Sequence, residues 1–339
     1  MIETVLGPVS PAELGIVASN EHVLTDSRHL LRPTRDGAPL EGPIRTEILG
    51  DLRWNYLSLA DNLALDDEDA AVDELASAAA SGLGTIVEAT SWGMGPCHAR
   101  LPDISRRSGV RIVSAYGTYI DKTIPEAWRE KPESALEAEF TTALVDAVPG
   151  TAFRAGLLGL LGTSAEITPA ERRALRAAAR AAASAGAAVS IRLDGAARRG
   201  PEVVDILRSE GLAPGRILFC NMDKVLDEGY VGELSDRGAV VEFAFGSENH
   251  FGDRARDATD TERLDFVARF LNARPDAPVT LTCSVWTKGQ LSAFGGMGYG
   301  HVVRRVVPAL RRLGVPDDRL HDVLVAAPAA LLNRTEPTP

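Results

Sequence analysis

Short apolar runs recur along the chain with amphipathic or acidic-to-alanine stretches between them. Eight runs read as strands: IVASNEH (16–22), TIVEAT (85–90), RIVSAY (111–116), FRAGLLGLL (153–161), AVSIRL (188–193), RILFCNM (216–222), AVVEFAF (239–245) and VTLTCSV (279–285). Most are apolar without strict alternation, the pattern of strands buried on both faces of a parallel sheet. The intervening segments carry helix signals. DDEDAAVDELASAAASG opens on acidic residues and stops at Gly82. TPAERRALRAAARAAASAG has Thr168 to cap, Pro169 at the first helical position, Glu171 to complete a capping box and Gly186 to terminate. Eight strand–helix units in 339 residues predict a closed (β/α)8 TIM barrel rather than an open sheet. No linker, repeat or low-complexity segment divides the chain, so residues 1–339 are expected to form one domain. An irregular insertion containing Trp54 and Tyr56 occupies about 23–56, after the first strand.

Composition narrows the partners. Acidic residues outnumber basic ones 47 to 36, for a net charge of −11, which argues against a nucleic-acid surface. Three scattered cysteines form neither a disulfide framework nor a thiolate metal site. Without an apolar run of about 18 residues or a secretion signal, no membrane partner is expected and the cytoplasm is the default compartment. The Ala/Arg-rich helices suggest a GC-rich bacterial genome.

In such a barrel, chemistry gathers at the C-terminal strand ends. Several segments there resemble one family. TVLGPVSPAELG with NEH resembles the opening of the phosphotriesterase family of the amidohydrolase superfamily, GVRIVSAYGTYID its third-strand segment and GLLGLLGTS its fourth. NMDK resembles the sixth, RGAVVEFAFG the seventh, and SVWTKGQLSAFGGMGYGHVVRRVVPALRRLGV the eighth strand and closing helix, with VLVAAPAALL also family-like. The resemblance covers nearly the whole chain and implies a two-metal hydrolase. A His-x-His pair, a carboxylated Lys or Glu, two further His and an Asp would hold two divalent ions that generate hydroxide.

This sequence departs from that ligand set. The first His position is Asn20, the second is His22, the bridging position is Leu160, and the remaining three are Arg192, Asn221 and Ser284. Leu cannot ligate, and Arg brings a permanent positive charge. No metal site and no cofactor are therefore expected.

The replacements are mostly polar, whereas a site decaying toward packing would fill with apolar residues. The expectation is thus a metal-independent enzyme of the phosphotriesterase type acting on a small polar, anionic metabolite. Its chemistry would be acid/base: a lyase, isomerase, cyclisation or dehydration step, plausibly in bacterial secondary metabolism. The alternatives are a non-catalytic ligand-binding or scaffold protein, and a hydrolase lacking the binuclear centre. His22 is the expected proton carrier, since a cavity-facing His titrates near neutrality; the bland alternative is a hydrogen-bonded core histidine. Arg192 would hold a carboxylate, phosphate or carbonyl, or else pair internally with Asp194, Glu88 or Glu242. Asn20, Asn221 and Ser284 would orient the substrate. Trp92, Tyr119 and Trp286 would stack on its flat or apolar part, and His250, in GSENHFGD, would contact it.

Asp223, Glu242 and His301 read as structural residues. Strand alternation places Cys220 and Cys283 on the helix side if Asn221 and Ser284 face the cavity. Cys97 lies in a loop beside His98. The family resemblance makes a homodimer the default assembly.

Overall fold

The computed structural model describes residues 1–35, 37, 40–247 and 257–335. Its centre is a parallel eight-stranded sheet: β1 (Ile16–Glu21), β2 (Leu83–Glu88), β3 (Arg111–Tyr116), β4 (Leu157–Gly162), β5 (Val189–Arg192), β6 (Ile217–Cys220), β7 (Val240–Ala244) and β8 (Val279–Thr282). Each strand pairs with its sequence neighbour, in the order β8-β7-β6-β5-β4-β3-β2-β1. The sheet curls into a barrel, and all eight predicted strands are present within it.

Helices cover the outside: α1 (Glu68–Ala79), α2 (Leu101–Ser108), α3 (Glu133–Val145), α4 (Pro169–Ala185), α5 (Gly200–Ser209), α6 (Glu228–Asp236), α7 (Asp260–Ala273) and α8 (Val307–Arg312). The start of α4 has the capping box read from the sequence, with Thr168 accepting from the Glu171 amide and Glu171 accepting from that of Thr168. Gly186 ends it at φ 63°, a left-handed turn that glycine adopts without a Cβ penalty. The buried face of α4 is built from alanines, among them Ala174, Ala178 and Ala182, which let the helix lie close to its neighbours.

The first and last strands are not joined by a regular backbone ladder. The Glu21 side chain does this instead. Its carboxyl accepts from the Thr282 hydroxyl at 2.7 Å, the Cys283 amide at 2.7 Å and the Val285 amide at 2.8 Å. The His22 amide adds one bond to the Val285 carbonyl at 3.0 Å. An N-terminal hairpin, Ile2–Thr4 with Gly7–Val9, buries Ile2 against the lower barrel interior. The insertion extends further than its composition suggested. Thr25–Asp26 pairs with Ala64–Leu65, so a short ribbon closes it at its base, and it contains a helix at Leu49–Trp54.

Alternation governs the bodies of the strands but not their C-terminal ends. The β1–β2 register shifts between Ala18 and Glu21, and the β4–β5 register between Leu158 and Leu161. Asn221 and Ser284 take positive φ values of 56° and 51°. These irregularities fall at or around Asn20, Leu160, Asn221 and Ser284. One consequence corrects the reading by parity. Cys220 joins the inner barrel cluster and lies beside Glu242, because the left-handed turn at Asn221 lets consecutive residues both face inward. Cys283 does face the outer layer, with its thiol on the Tyr299 carbonyl.

Candidate active site

A cavity of about 250 Å³ opens at the C-terminal ends of the strands. His22, Leu160, Arg192, Asn221 and Ser284 line it, together with Tyr119 and Trp286 from the loops. Five of the six positions singled out at the strand ends therefore share one wall. The sixth, Asn20, does not reach the cavity surface. It is fully buried below it, and its Nδ2 donates to Asn221 Oδ1 at 3.2 Å and to Glu242 Oε1 at 3.2 Å. The register shift at the end of β1 turns it inward, so direct substrate contact is corrected to support from beneath.

Trp92 is a second correction. It stacks on Trp128 with ring centroids 5.5 Å apart and belongs to an aromatic group with Tyr116 and Phe140 outside the barrel, not to the cavity wall. Backbone bonds with Gly117 and Tyr119 fix it in an extra bridge beyond β2 and β3. His250 lies outside the described residues.

The aromatic wall comes partly from a residue that sequence reasoning placed only in the insertion. Tyr56 lines the cavity and meets Trp286 edge to face, 5.6 Å between centroids. Lys224 and Asp257 also line it and form an ion pair, while Asp257 accepts from the Ser247 hydroxyl at 2.6 Å. The signal for Lys224 was present in the NMDK segment; Asp257 carried none.

Arg192 forms no ion pair among the described residues. Its guanidinium donates to the neighbouring Leu193 carbonyl. The three acids considered as internal partners are engaged elsewhere. Glu88 accepts from the Val23 amide at 2.8 Å and the Thr90 amide at 3.2 Å. Glu242 accepts from the Asn221 amide at 3.1 Å and the Ser19 hydroxyl at 3.2 Å. Asp194 caps the turn at Ala196 and Ala197. A guanidinium thus faces the cavity with no ion pair of its own among the described residues.

His22 behaves differently from its sequence expectation. Its Nδ1 bonds the Thr90 hydroxyl at 3.0 Å, and burial pushes its pKa down to about 3. The ring is neutral throughout the neutral range and does not titrate near pH 7. Burial acts in the opposite direction on the acids, raising Glu21 and Glu88 to about 7 and Glu242 to about 8. Lys224 counters burial at Asp257 and holds that carboxyl below its ordinary value. Asp223 is a fully buried anchor: it accepts from the Ala244 amide at 3.1 Å and pairs with Arg263 at 3.1 Å.

The two divalent ions of the phosphotriesterase pattern require a convergent set of imidazole and carboxylate donors. Here His22 stands among Leu160, Arg192, Asn221 and Ser284. No group of three or more His, Cys, Asp or Glu side chains suited to a metal occurs among the described residues. The donor set does not fit the metal pair.

Comparison with known proteins fixes the lineage. The model of the phosphotriesterase family matches residues 1–332. An N-acetyltaurine hydrolase from Tetraodon nigroviridis is 30% identical, with 96% of each chain covered, and the Homo sapiens N-acetyltaurine hydrolase is 28% identical with 96% of each covered. A resiniferatoxin-binding protein from Rhodobacter sphaeroides superposes with a TM-score of 0.93 at 31% identity, covering 98% of this chain and 94% of that one. Relatives that match over 96% of the chain include several N-acetyltaurine hydrolases. This corrects the expected lyase, isomerase, cyclisation or dehydration chemistry, which rested on the missing metal ligands alone. A barrel with its cavity at the strand ends, matched by the family model from its first residue to its last helix, places this chain in the phosphotriesterase family.

Proposed function

We propose that the chain hydrolyses a small acyl compound that carries an anionic group, such as an N-acyl amino sulfonate or N-acyl amino carboxylate. The observation that carries this reading is Arg192: a cavity-facing guanidinium with no carboxylate partner among the described residues, in a chain whose relatives are hydrolases. A guanidinium binds planar or tetrahedral oxyanions through paired N–H donors, which an ammonium cannot match. Asn221 stands at the adjacent strand end, and Ser284, after β8, lines the same cavity. Tyr56, Tyr119 and Trp286 supply the apolar wall for the remainder of the substrate.

The bond changes are those of acyl transfer to water. A water oxygen bonds to the carbonyl carbon, one O–H bond of that water breaks and its proton passes to the leaving nitrogen as the C–N bond breaks, and the products are a carboxylic acid and an amine. The neutral His22 ring accepts a hydrogen bond from the water and orients it without adding charge. Asp257, held below its ordinary pKa by Lys224 against burial, is a carboxylate that lines the same cavity. These are roles for the chain's own residues; no step is assigned to a metal ion.

Amine release from N-acetyltaurine and further N-acyl amino acids, and acid release from simple lactones, test the reading. Turnover of at least one anionic acyl compound is expected. Arg192→Ala should lower kcat/KM by about 100-fold or more, the scale of a lost charge-assisted contact at the reacting end. His22→Ala should lower kcat with a smaller change in KM. Binding without turnover across the panel, or an Arg192→Ala enzyme as active as the parent, would overturn it.

A further inference from the structure

The floor of the cavity is set by residues that never touch its surface. Asn20 has its Nδ2 within 3.2 Å of Glu242 Oε1, so the carboxyl oxygen selects the NH2 end of that amide. The same Nδ2 lies 3.2 Å from Asn221 Oδ1. This fixes the second amide: its oxygen turns down toward Asn20, which leaves its NH2 on the cavity side. Glu242 also accepts from the Asn221 backbone amide at 3.1 Å, holding the left-handed turn at φ 56°. On its far side the carboxyl meets Ser19, whose hydroxyl is 2.9 Å from that of Thr280. Asn20, Glu242, Ser19 and Thr280 are all buried.

We infer that Glu242 and Asn20 are positioning residues that lock the Asn221 carboxamide as a donor to an anionic oxygen in the cavity. With Arg192 on the adjacent strand, the floor presents a guanidinium and an NH2 where the family's ligands would present lone pairs. The site has exchanged a set of acceptors for a cation for a set of donors for an anion. This rests on the hydrolase reading only for the identity of the molecule that owns the oxygen.

The relay depends on the charge of Glu242. A neutral carboxyl can donate from one oxygen to Ser19 and accept at the other from Asn20 and Asn221, whereas an ionised one places a buried negative charge directly under the anion. The groups packed around it are Cys220 on β6, Asp223 after β6, and the uncharged Ser19, Asn20 and Thr280. Burial keeps the Cys220 thiol protonated at high pH, and Asp223 is held by Arg263.

The test is titration of the full chain with methanesulfonate, using methanesulfonamide as the neutral control, at pH 7 and pH 9. The parent should bind the anion and not the neutral control, with affinity falling about tenfold at pH 9. Glu242→Gln keeps one acceptor and one donor. It should bind within about threefold of the parent at pH 7 and lose the pH dependence, while Glu242→Leu should bind at least tenfold more weakly. An unchanged fall with pH in Glu242→Gln, parent-like binding in folded Glu242→Leu, or no anion binding by the parent would each overturn the relay. Should Glu242→Leu not fold, the pH comparison between the parent and Glu242→Gln decides. Because binding is read without turnover, a protein that passes here yet hydrolyses nothing refutes the hydrolase reading and leaves the relay standing.

Discussion

The bodies of the barrel strands and their C-terminal ends obey different rules. In the bodies, backbone pairing and apolar burial settle each residue's place: Val87, Val113, Leu157 and Leu218 fill the interior, while Ile86, Ile112, Leu158 and Phe219 face the helices. At the ends, register shifts and positive φ values turn side chains out of alternation, and buried carboxyls take over as backbone acceptors. The bodies supply stability through packing. The ends hold a cavity open through hydrogen bonds, and the carboxyls of Glu21, Glu88 and Glu242 each serve specific donors.

The strongest challenge to that contrast is Glu21, an end residue with a structural task. Removing its carboxyl leaves the amides of Cys283 and Val285 without their acceptor, while the Thr282 hydroxyl keeps the Asn20 carbonyl at 2.9 Å. At about 1–3 kcal/mol for a buried donor left unpaired, Glu21→Ala should cost about 3–5 kcal/mol in denaturant unfolding, against roughly half that for Glu21→Gln, which retains one acceptor. A loss below about 1 kcal/mol would show that the barrel seam closes without it.

The two tryptophans sharpen the comparison from both sides. Trp92 packs on Trp128 in the outer layer, so Trp92→Ala should destabilise by about 2–3 kcal/mol, as expected for a partly buried aromatic, and leave ligand affinity within about twofold. Trp286 lines the cavity, and its alanine variant should raise KM severalfold with a smaller stability loss. The reverse pattern would exchange the roles assigned to the two regions.

Acidity separates the regions again. Glu21, Glu88 and Glu242 have folded pKa values raised by burial to about 7, 7 and 8 from the ordinary 4.5. For a raised pKa the folded state binds the extra proton, so the stability is complete below pH 4.5 and is lost as pH rises through 7 to 8. His22 and His98 have the opposite sign: burial depresses them to about 3 and about 4, and their contributions are complete above pH 6.5. Between pH 6.5 and 8.5 the carboxyls alone contribute a slope among these groups. Unfolding free energy should fall by about 2 kcal/mol from pH 7 to 8.5, and Glu242→Gln should remove about half of the fall or more. Stability that rises over the window would reverse the assigned protonation.

What the sequence made legible follows the same division. Eight apolar runs located all eight strands, and Thr168, Pro169, Glu171 and Gly186 marked both ends of α4, because these signals are local. Arg192, His22, Asn221, Ser284, Tyr119 and Trp286 were placed in the cavity by position at strand ends and in the loops after them. Asn20 and Cys220 were misplaced, since a register shift or a left-handed residue reverses a facing that alternation would predict, and Trp92 was misplaced because a bridge to Thr118 turns the loop so that its ring stacks on Trp128. Glu21 was invisible for a different reason: nothing within the strand says that its side chain will meet amides more than 260 residues away. Tyr56 required knowing how the insertion folds back over the mouth.

The smallest expected effect concerns metal affinity, and it tests the ends most directly. His22 is the sole imidazole at the family's ligand positions, its Nδ1 is engaged by Thr90, and Arg192 faces the same cavity as a fixed cation. A divalent ion placed there meets one neutral donor and the repulsion of a guanidinium. Its dissociation constant should therefore lie at about 1 mM or weaker, so 1 mM zinc stabilises the fold by no more than about 0.4 kcal/mol. Thermal unfolding with and without zinc reads this directly, and His22→Ala should leave the small response unchanged. Stabilisation of about 3 kcal/mol or more that vanishes in His22→Ala would mean that donors are recruited around this ring on binding, and the contrast between fixed bodies and fixed ends would then fail at the ends.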